Sequence, residues 1–187
     1  MNSRDEYARG SNIEKRAGEL TTGMSDLHQK AQALYDYVAN EIQYKDEAGT
    51  YFSNENLGQL LKTGIGTGEE KNILLAELMK KVGIQAWPVL ISTRQYRKFN
   101  PEIYQMRQFN YLILLMQIDS TYTYLDAASK FCPFGMLPPK CLVEAGFLID
   151  GDNSEIVKVL STEQRTYRLD VTAMHIDSTG SVRCSTV

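Results

Sequence analysis

Histidine and cysteine are scarce in this chain, which limits the chemistry that it can perform. The two histidines, His28 and His175, lie in no metal-binding spacing such as HExxH, and the three cysteines form no CxxC pair. The sequence therefore predicts neither a metal site nor a bound cofactor. His28 borders the apolar stripe of a predicted helix, where a histidine usually lies at the surface.

Long apolar runs and an excess of positive charge are also absent. No stretch approaches the roughly 20 apolar residues of a membrane span, so we expect no transmembrane segment. The net charge is −3, which gives no electrostatic footprint for nucleic acid. The short basic run of Arg94, Arg97 and Lys98 fits a solvated loop. With 187 residues, of which 43% are hydrophobic, the chain is long enough for one sizeable core.

Helical periodicity dominates the first half of the chain. Apolar residues recur at helical spacing over residues 26–43, with Ser25 as the expected N-cap. Leucines over residues 57–61 predict one or two further helical turns. Residues 70–82 are apolar around most of the helix circumference, which predicts a helix buried in the middle of the domain.

The second half favours strands. Apolar runs predict strands over residues 87–92, 109–118 and 122–127, with a turn between the last two. A long polar loop is expected over residues 93–107. The pattern further predicts a β-hairpin formed by residues 165–176 and 181–187. The sequence thus predicts an α+β fold with a loose tail over 1–12, a main domain over 13–150, and a β-rich extension over 151–187 that we expect to be truncated.

Several local motifs, taken in order, resemble the transglutaminase-like superfamily, a papain-like α+β fold with N-terminal helices packed on an antiparallel sheet. They lie at residues 34–44 (LYDYVANEIQY), 66–75 (GTGEEKNILL), 82–90 (VGIQAWPVL), 109–113 (FNYLI), 124–127 (YLDA) and 133–142 (PFGMLPPKCL). The resemblance is to domains found between β-rich domains in exported proteins of Bacteroidetes-type bacteria. It therefore implies flanking β domains in the same polypeptide and a periplasmic or extracellular location.

Active members of such a family use a Cys-His-Asp triad, of which this chain keeps one member. The resemblance places the cysteine position at Gly68, the histidine position at Tyr111 and the aspartate position at Asp126. Glycine has no nucleophile, and a phenol with an ordinary pKa near 10 is a poor base at neutral pH. Glu69 and Glu70 beside Gly68 would raise the pKa of a neighbouring thiol, although helix capping is the simpler interpretation of both.

Two interpretations of Asp126 remain open. Its carboxylate either accepts a hydrogen bond from Tyr111 across adjacent strands, which we favour, or belongs to an ordinary strand end. The state of Cys132 and Cys141 is open as well. They flank a proline-rich loop and are either two buried free thiols, which we favour, or a disulfide.

The sequence therefore favours a catalytically inactive domain that binds a ligand or serves as a structural module. A cleft lined by Gly68, Glu69, Trp87, Tyr111 and Asp126 would hold an extended peptide, a protein or a glycan. One alternative is an active cysteine peptidase or acyltransferase whose nucleophile has moved to Cys132 or Cys141. Another is an architectural spacer without a ligand, which a filled cleft would favour.

Overall fold

The computed structural model of the protein describes residues 3–45, 57–103, 105–159 and 171–186. Its first part is helical, and two short strands pair in parallel just before the last helix. In chain order these elements are α1 (Ser3–Leu20), α2 (Leu27–Glu41), β1 (Gln43–Tyr44), α3 (Leu57–Thr63), β2 (Ile65–Gly66) and α4 (Gly68–Lys81).

Two helix starts differ from the sequence prediction. Helix α1 begins at Ser3, where a loose tail is predicted over residues 1–12. Burial of Ile13 and Ala17 holds its second half, and extending an existing helix costs far less than starting one. Helix α2 is capped by Asp26 rather than by Ser25, because the Asp26 side chain accepts a hydrogen bond from the backbone N–H of Gln29.

A five-stranded antiparallel sheet forms the second part of the fold. Its spatial order is β5-β4-β3-β6-β7. The strands are β3 (Gln85–Ile91), β4 (Tyr111–Ile118), β5 (Thr121–Leu125), β6 (Ala145–Leu148) and β7 (Glu155–Lys158). The sequence predicted the first three of these strands, β3 to β5, to within a few residues, but it predicted neither β6 nor β7. The α+β fold class is confirmed.

The sheet is curled so that its two edges approach each other. The hydroxyl of Tyr124 on edge strand β5 donates a hydrogen bond of 2.9 Å to the carbonyl of Lys158 on edge strand β7. In a flat sheet these strands would be separated by four strand spacings of nearly 5 Å each. The curl therefore produces one convex face and one concave face.

Each face of the sheet has its own apolar core. On the convex face, helix α4 packs against β3 and β4 and is flanked by α1 and α2, with Leu74, Leu78, Leu112 and Leu114 fully buried or nearly so. On the concave face, the segment after β5 covers the sheet. Alternation along β3 and β4 assigns successive residues to the two cores, as expected for a sheet that is buried on both sides.

The last described element is a hairpin formed by β8 (Thr172–Ile176) and β9 (Val182–Thr186), which pair only with each other in the described ranges. It matches the later part of the predicted hairpin, whereas residues 165–170 lie outside the described part of the chain. Among the helices described, none is long and apolar enough to cross a membrane.

Candidate functional site

Helix α4 opens with a complete capping box. The backbone N–H of Thr67 donates to the Glu70 carboxylate at 2.8 Å, and the backbone N–H of Glu70 donates to the Thr67 hydroxyl at 3.3 Å. Glu69 also lies in this first turn, where a negative charge suits the helix dipole. The capping role expected of Glu70 is therefore confirmed, and Gly68 becomes the first residue of the helix.

Gly68 is buried against side chains that leave little room for a larger residue. A Cβ atom at this position would lie 3.1 Å from the Cβ of Ala128 and 3.4 Å from the hydroxyl oxygen of Tyr111. It would also lie 3.6 Å from the Cε2 atom of the Tyr111 ring. Ala128 therefore crowds a Cβ at position 68, and Tyr111 lies in van der Waals contact with it.

The Tyr111 hydroxyl binds the carboxylate of Asp126. The distances to its two oxygens are 3.2 and 3.1 Å, which confirms the predicted contact. The contact arises because Tyr111 opens β4 while Asp126 directly follows Leu125, the last residue of the neighbouring strand β5. Asp126 is 0% exposed and Tyr111 8%, so the pair is closed to solvent.

Three further donors surround the Asp126 carboxylate. The Asn72 amide donates to one oxygen at 3.0 Å, as does the backbone N–H of Ala128 at 3.0 Å. The Cys141 thiol lies 3.8 Å from the other oxygen. This buried carboxylate therefore has several hydrogen-bond partners, as a buried charge requires. We call Gly68, Asn72, Tyr111, Asp126 and Cys141 the polar centre.

Neighbouring side chains hold the polar centre in place. The Asn72 amide also donates to the carbonyl of Leu112 at 2.8 Å, and its oxygen accepts from the backbone N–H of Ala127 at 2.8 Å. The single proton of the Tyr35 hydroxyl, on α2, is shared between the carbonyl oxygens of Asp126 at 2.9 Å and Cys132 at 2.7 Å. Helices α2 and α4 are thereby tied to the end of β5.

Burial keeps the hydroxyl and thiols of this region protonated. It raises the pKa of Tyr111 far above that of a free phenol, and the negative charge of Asp126 raises it further. Burial likewise raises the pKa of the Cys141 thiol, and Asp126 again adds to the shift. Burial raises the pKa of Cys132 to about 11. Each of these groups is a donor at neutral pH, so none is a base or a thiolate.

Cys132 and Cys141 are both buried free thiols, which agrees with the favoured interpretation of these residues. The Cys132 thiol lies 3.2 Å from the Met136 carbonyl oxygen, to which it donates. The charge of Lys140 lowers the pKa of its neighbour Cys141, but burial and Asp126 raise it by more. The Lys140 ammonium lies 3.9 Å from the centre of the Tyr111 ring, in a cation–π contact that covers the polar centre.

Trp87 is not brought together with the other predicted cleft residues. On β3 it pairs with Leu115, whereas Ile91, four residues further along, pairs with Tyr111. The Trp87 indole N–H donates instead to Asp150 at 3.1 Å. The structure thus groups Gly68, Tyr111 and Asp126, with Glu69 in the same helical turn as Gly68, and places Trp87 at the other end of the sheet.

Sequence reasoning missed Asn72, Lys140 and the position of Cys141. The role of Asn72 could have been predicted, because a short amide in a helix that is otherwise apolar needs a buried partner. The position of Cys141 could not, since it depends on the path of the irregular chain after Asp126. No cluster of three or more His, Cys, Asp or Glu residues that could hold a metal ion occurs in the described ranges.

Comparison with known proteins agrees with the α+β fold. The family model described as the transglutaminase-like superfamily matches residues 14–123. No curated protein matches the sequence. A structure from Parabacteroides distasonis, described as a "putative protease", is 18% identical with a TM-score of 0.54, over 64% of this chain and 24% of that one.

A second structure, from Cytophaga hutchinsonii, is described as a "putative cysteine protease". It is 14% identical with a TM-score of 0.51, over 95% of this chain and 52% of that one. At this identity the likeness concerns the fold alone. The chain spans about a quarter of the length of the Parabacteroides structure and about half of that of the Cytophaga structure.

Proposed function

Because the chain belongs to the transglutaminase-like superfamily, we propose that it is a catalytically inactive member that serves as a binding or structural module. One observation carries this proposal. The Tyr111 hydroxyl binds Asp126 and lies beside Gly68, so the histidine position of the family triad holds a tyrosine that faces a cysteine position without a side chain.

The chemistry of the polar centre supports the loss of catalysis. Nucleophilic catalysis requires a thiolate with a base in hydrogen-bond reach. Position 68 supplies no side chain, and burial holds the Tyr111 hydroxyl in its protonated form. Removing members of such a triad commonly lowers the rate by several orders of magnitude.

The closure of the polar centre favours a structural role for these residues. Asp126, Asn72 and Tyr35 connect two helices to the sheet through buried hydrogen bonds. A peptide, protein or glycan partner would then contact surfaces outside this centre. The setting that we propose, an exported bacterial protein with flanking β domains, rests on the family resemblance.

A relocated nucleophile is the second candidate function, because the Cys141 thiol does lie 3.8 Å from Asp126. Two observations disfavour it. Cys141 is fully buried, and both burial and the Asp126 charge raise the pKa of its thiol. A nucleophilic cysteine shows the opposite shift and needs access to its substrate.

A comparison of the natural chain with a Gly68→Cys/Tyr111→His variant tests the proposal. Both proteins are incubated with a broad peptide pool, and mass spectrometry records cleavage and cross-linking. We expect no product from the natural chain and measurable product from the double variant. Product from the natural chain that a Cys141→Ala substitution abolishes would instead establish the relocated nucleophile.

A further inference from the structure

A groove of about 690 Å³ opens at the end of the curled sheet opposite to the polar centre. The mouth of the groove lies where β3, β5 and β7 begin and where β4 and β6 end. The residues that line the mouth are Trp87, Gln117, Tyr122, Asp150 and Glu155. The volume lies within the range of sites that bind small ligands or side chains, roughly 300–1,000 Å³. No residue of the polar centre, and so none of the three triad positions, lines this groove.

The interior of the groove is apolar. Leu115, Leu148 and Val157 line it from the sheet, and Leu137 and Leu142 line it from the segment that covers the concave face. This surface suits a hydrocarbon chain.

The mouth of the groove is aromatic and acidic. Side chains alternate along β7, so Glu155 shares the concave face with Val157, while Lys158 shares the opposite face with Ile156. Ile156 lines a separate groove with Phe99 and Pro101, in agreement with this assignment. Lys158 also lines the groove, but it lies at the end of β7 away from the mouth, where its carbonyl accepts a hydrogen bond from Tyr124. The charged side chains at the mouth are therefore the two carboxylates Asp150 and Glu155.

Two aromatic rings stand beside these carboxylates. The indole of Trp87 is oriented by its hydrogen bond to Asp150, and Tyr122, 60% exposed, projects from the start of β5. Aromatic faces attract organic cations, and tryptophan does so most strongly. A cation at this mouth would meet both the rings and the carboxylates.

We propose that the groove binds a lysine or arginine side chain of a protein or peptide partner. The aliphatic stem of such a side chain packs on the apolar interior, while its charged head lies at the mouth among Trp87, Tyr122, Asp150 and Glu155. The proposal does not depend on the loss of catalysis, since it concerns the opposite end of the sheet.

The test uses Trp87, the single tryptophan of the chain, as an internal reporter. A blocked five-residue peptide with a central arginine is titrated into the protein, with tryptophan fluorescence and calorimetry as readouts. The comparison peptide carries citrulline, which keeps the shape of arginine without its charge. We expect the arginine peptide to change the Trp87 emission and to bind at least about tenfold more tightly than the citrulline peptide.

Two matched variants locate the binding. Glu155→Gln removes a carboxylate from the mouth and should weaken arginine-peptide binding about tenfold. Glu144→Gln removes the same charge at the other end of the sheet and should leave binding unchanged, with circular dichroism confirming that both variants fold. Equal affinity for the two peptides, no binding by calorimetry, equal weakening by both variants, or a neutral oligosaccharide that binds in place of the peptide would each overturn the proposal.

Discussion

The phenol of Tyr111 lies between Gly68 and Asp126 in the polar centre. Its hydroxyl lies 3.1 Å from Asp126 and 3.4 Å from the point where a Cβ at position 68 would lie. Lys140 covers the outer face of its ring. A residue larger than glycine at position 68 would therefore contact Tyr111, and its Cβ would be crowded by Ala128 at 3.1 Å.

Replacing Tyr111 by phenylalanine should destabilise the protein by about 1–3 kcal/mol, because a buried carboxylate then loses one of its donors. Urea denaturation followed by circular dichroism measures this change. Tyr122→Phe is the matched control, since Tyr122 is largely exposed and should change the free energy of unfolding by less than about 0.5 kcal/mol. Equal stability of the Tyr111 variant and the natural chain would show that the hydroxyl contributes nothing.

Among the secondary-structure elements, α4 links the polar centre to the rest of the fold. Its first turn carries the capping box and Gly68, and the next turn carries Lys71 and Asn72. The fully buried Lys71 ammonium donates to the Ile42 carbonyl at 2.8 Å and to the Ala39 carbonyl at 3.3 Å. These bonds attach α4 to the C-terminal end of α2.

The elements that the sequence predicted well are those with a strong local pattern. The apolar circumference of α4 and the continuous apolar run of β4 both specify burial without any tertiary information. Strand β7 has four residues at a sheet edge and little pattern to recognise. The predicted N-cap of α2, Ser25, is one residue before the observed N-cap, Asp26. Both residue types are good caps, and only the backbone geometry selects between them.

Within the candidate site, the sequence predicted the contact between Tyr111 and Asp126 because two adjacent strands carry them. It misplaced Trp87, since the predicted cleft took no account of the register that separates Trp87 from Tyr111 along the sheet. The approach of Cys141 to Asp126 follows from the path of an irregular, proline-rich segment, which no periodicity encodes.

Over the whole molecule, the curled sheet creates two separate regions of opposite character. The polar centre at one end is buried and internally satisfied, whereas the groove at the other end is open and acidic at its mouth. The Tyr124–Lys158 hydrogen bond between the edge strands maintains this curvature. A long-range bond of this kind has no signature in a single sequence.

The buried acids should make the protein less stable at alkaline pH. Burial raises the pKa values of five groups, which stay protonated in the fold: Tyr35, Tyr111, Tyr124, Cys132 and Cys141. In the unfolded chain the thiols ionise above about pH 8.5 and the phenols above about pH 10. The unfolded state then binds fewer protons, and stability falls as the pH rises. The stability is fully present below about pH 8.5.

Lys71 acts in the opposite direction. Burial lowers its pKa to about 8, below an unfolded value near 10.4, so its effect is a gain in stability between these two pH values. The gain from one lysine is smaller than the loss from five phenol and thiol groups, so stability falls above about pH 10. Urea midpoints under reducing conditions at pH 7, 9 and 10.5 should therefore fall at the last step, and Lys71→Met should steepen the fall. A midpoint that rises up to pH 10.5 would contradict this sign.

A double-mutant cycle on Gly68→Cys and Tyr111→His measures whether these two residues form one closed unit. The unfolding free energies of the natural chain, both single variants and the double variant are compared in urea. We predict that the double variant is less destabilised than the sum of the singles, by about 0.5–3 kcal/mol, because the smaller histidine releases space for the cysteine side chain. Additive effects within about 0.5 kcal/mol would show that Tyr111 does not close the position beside Gly68.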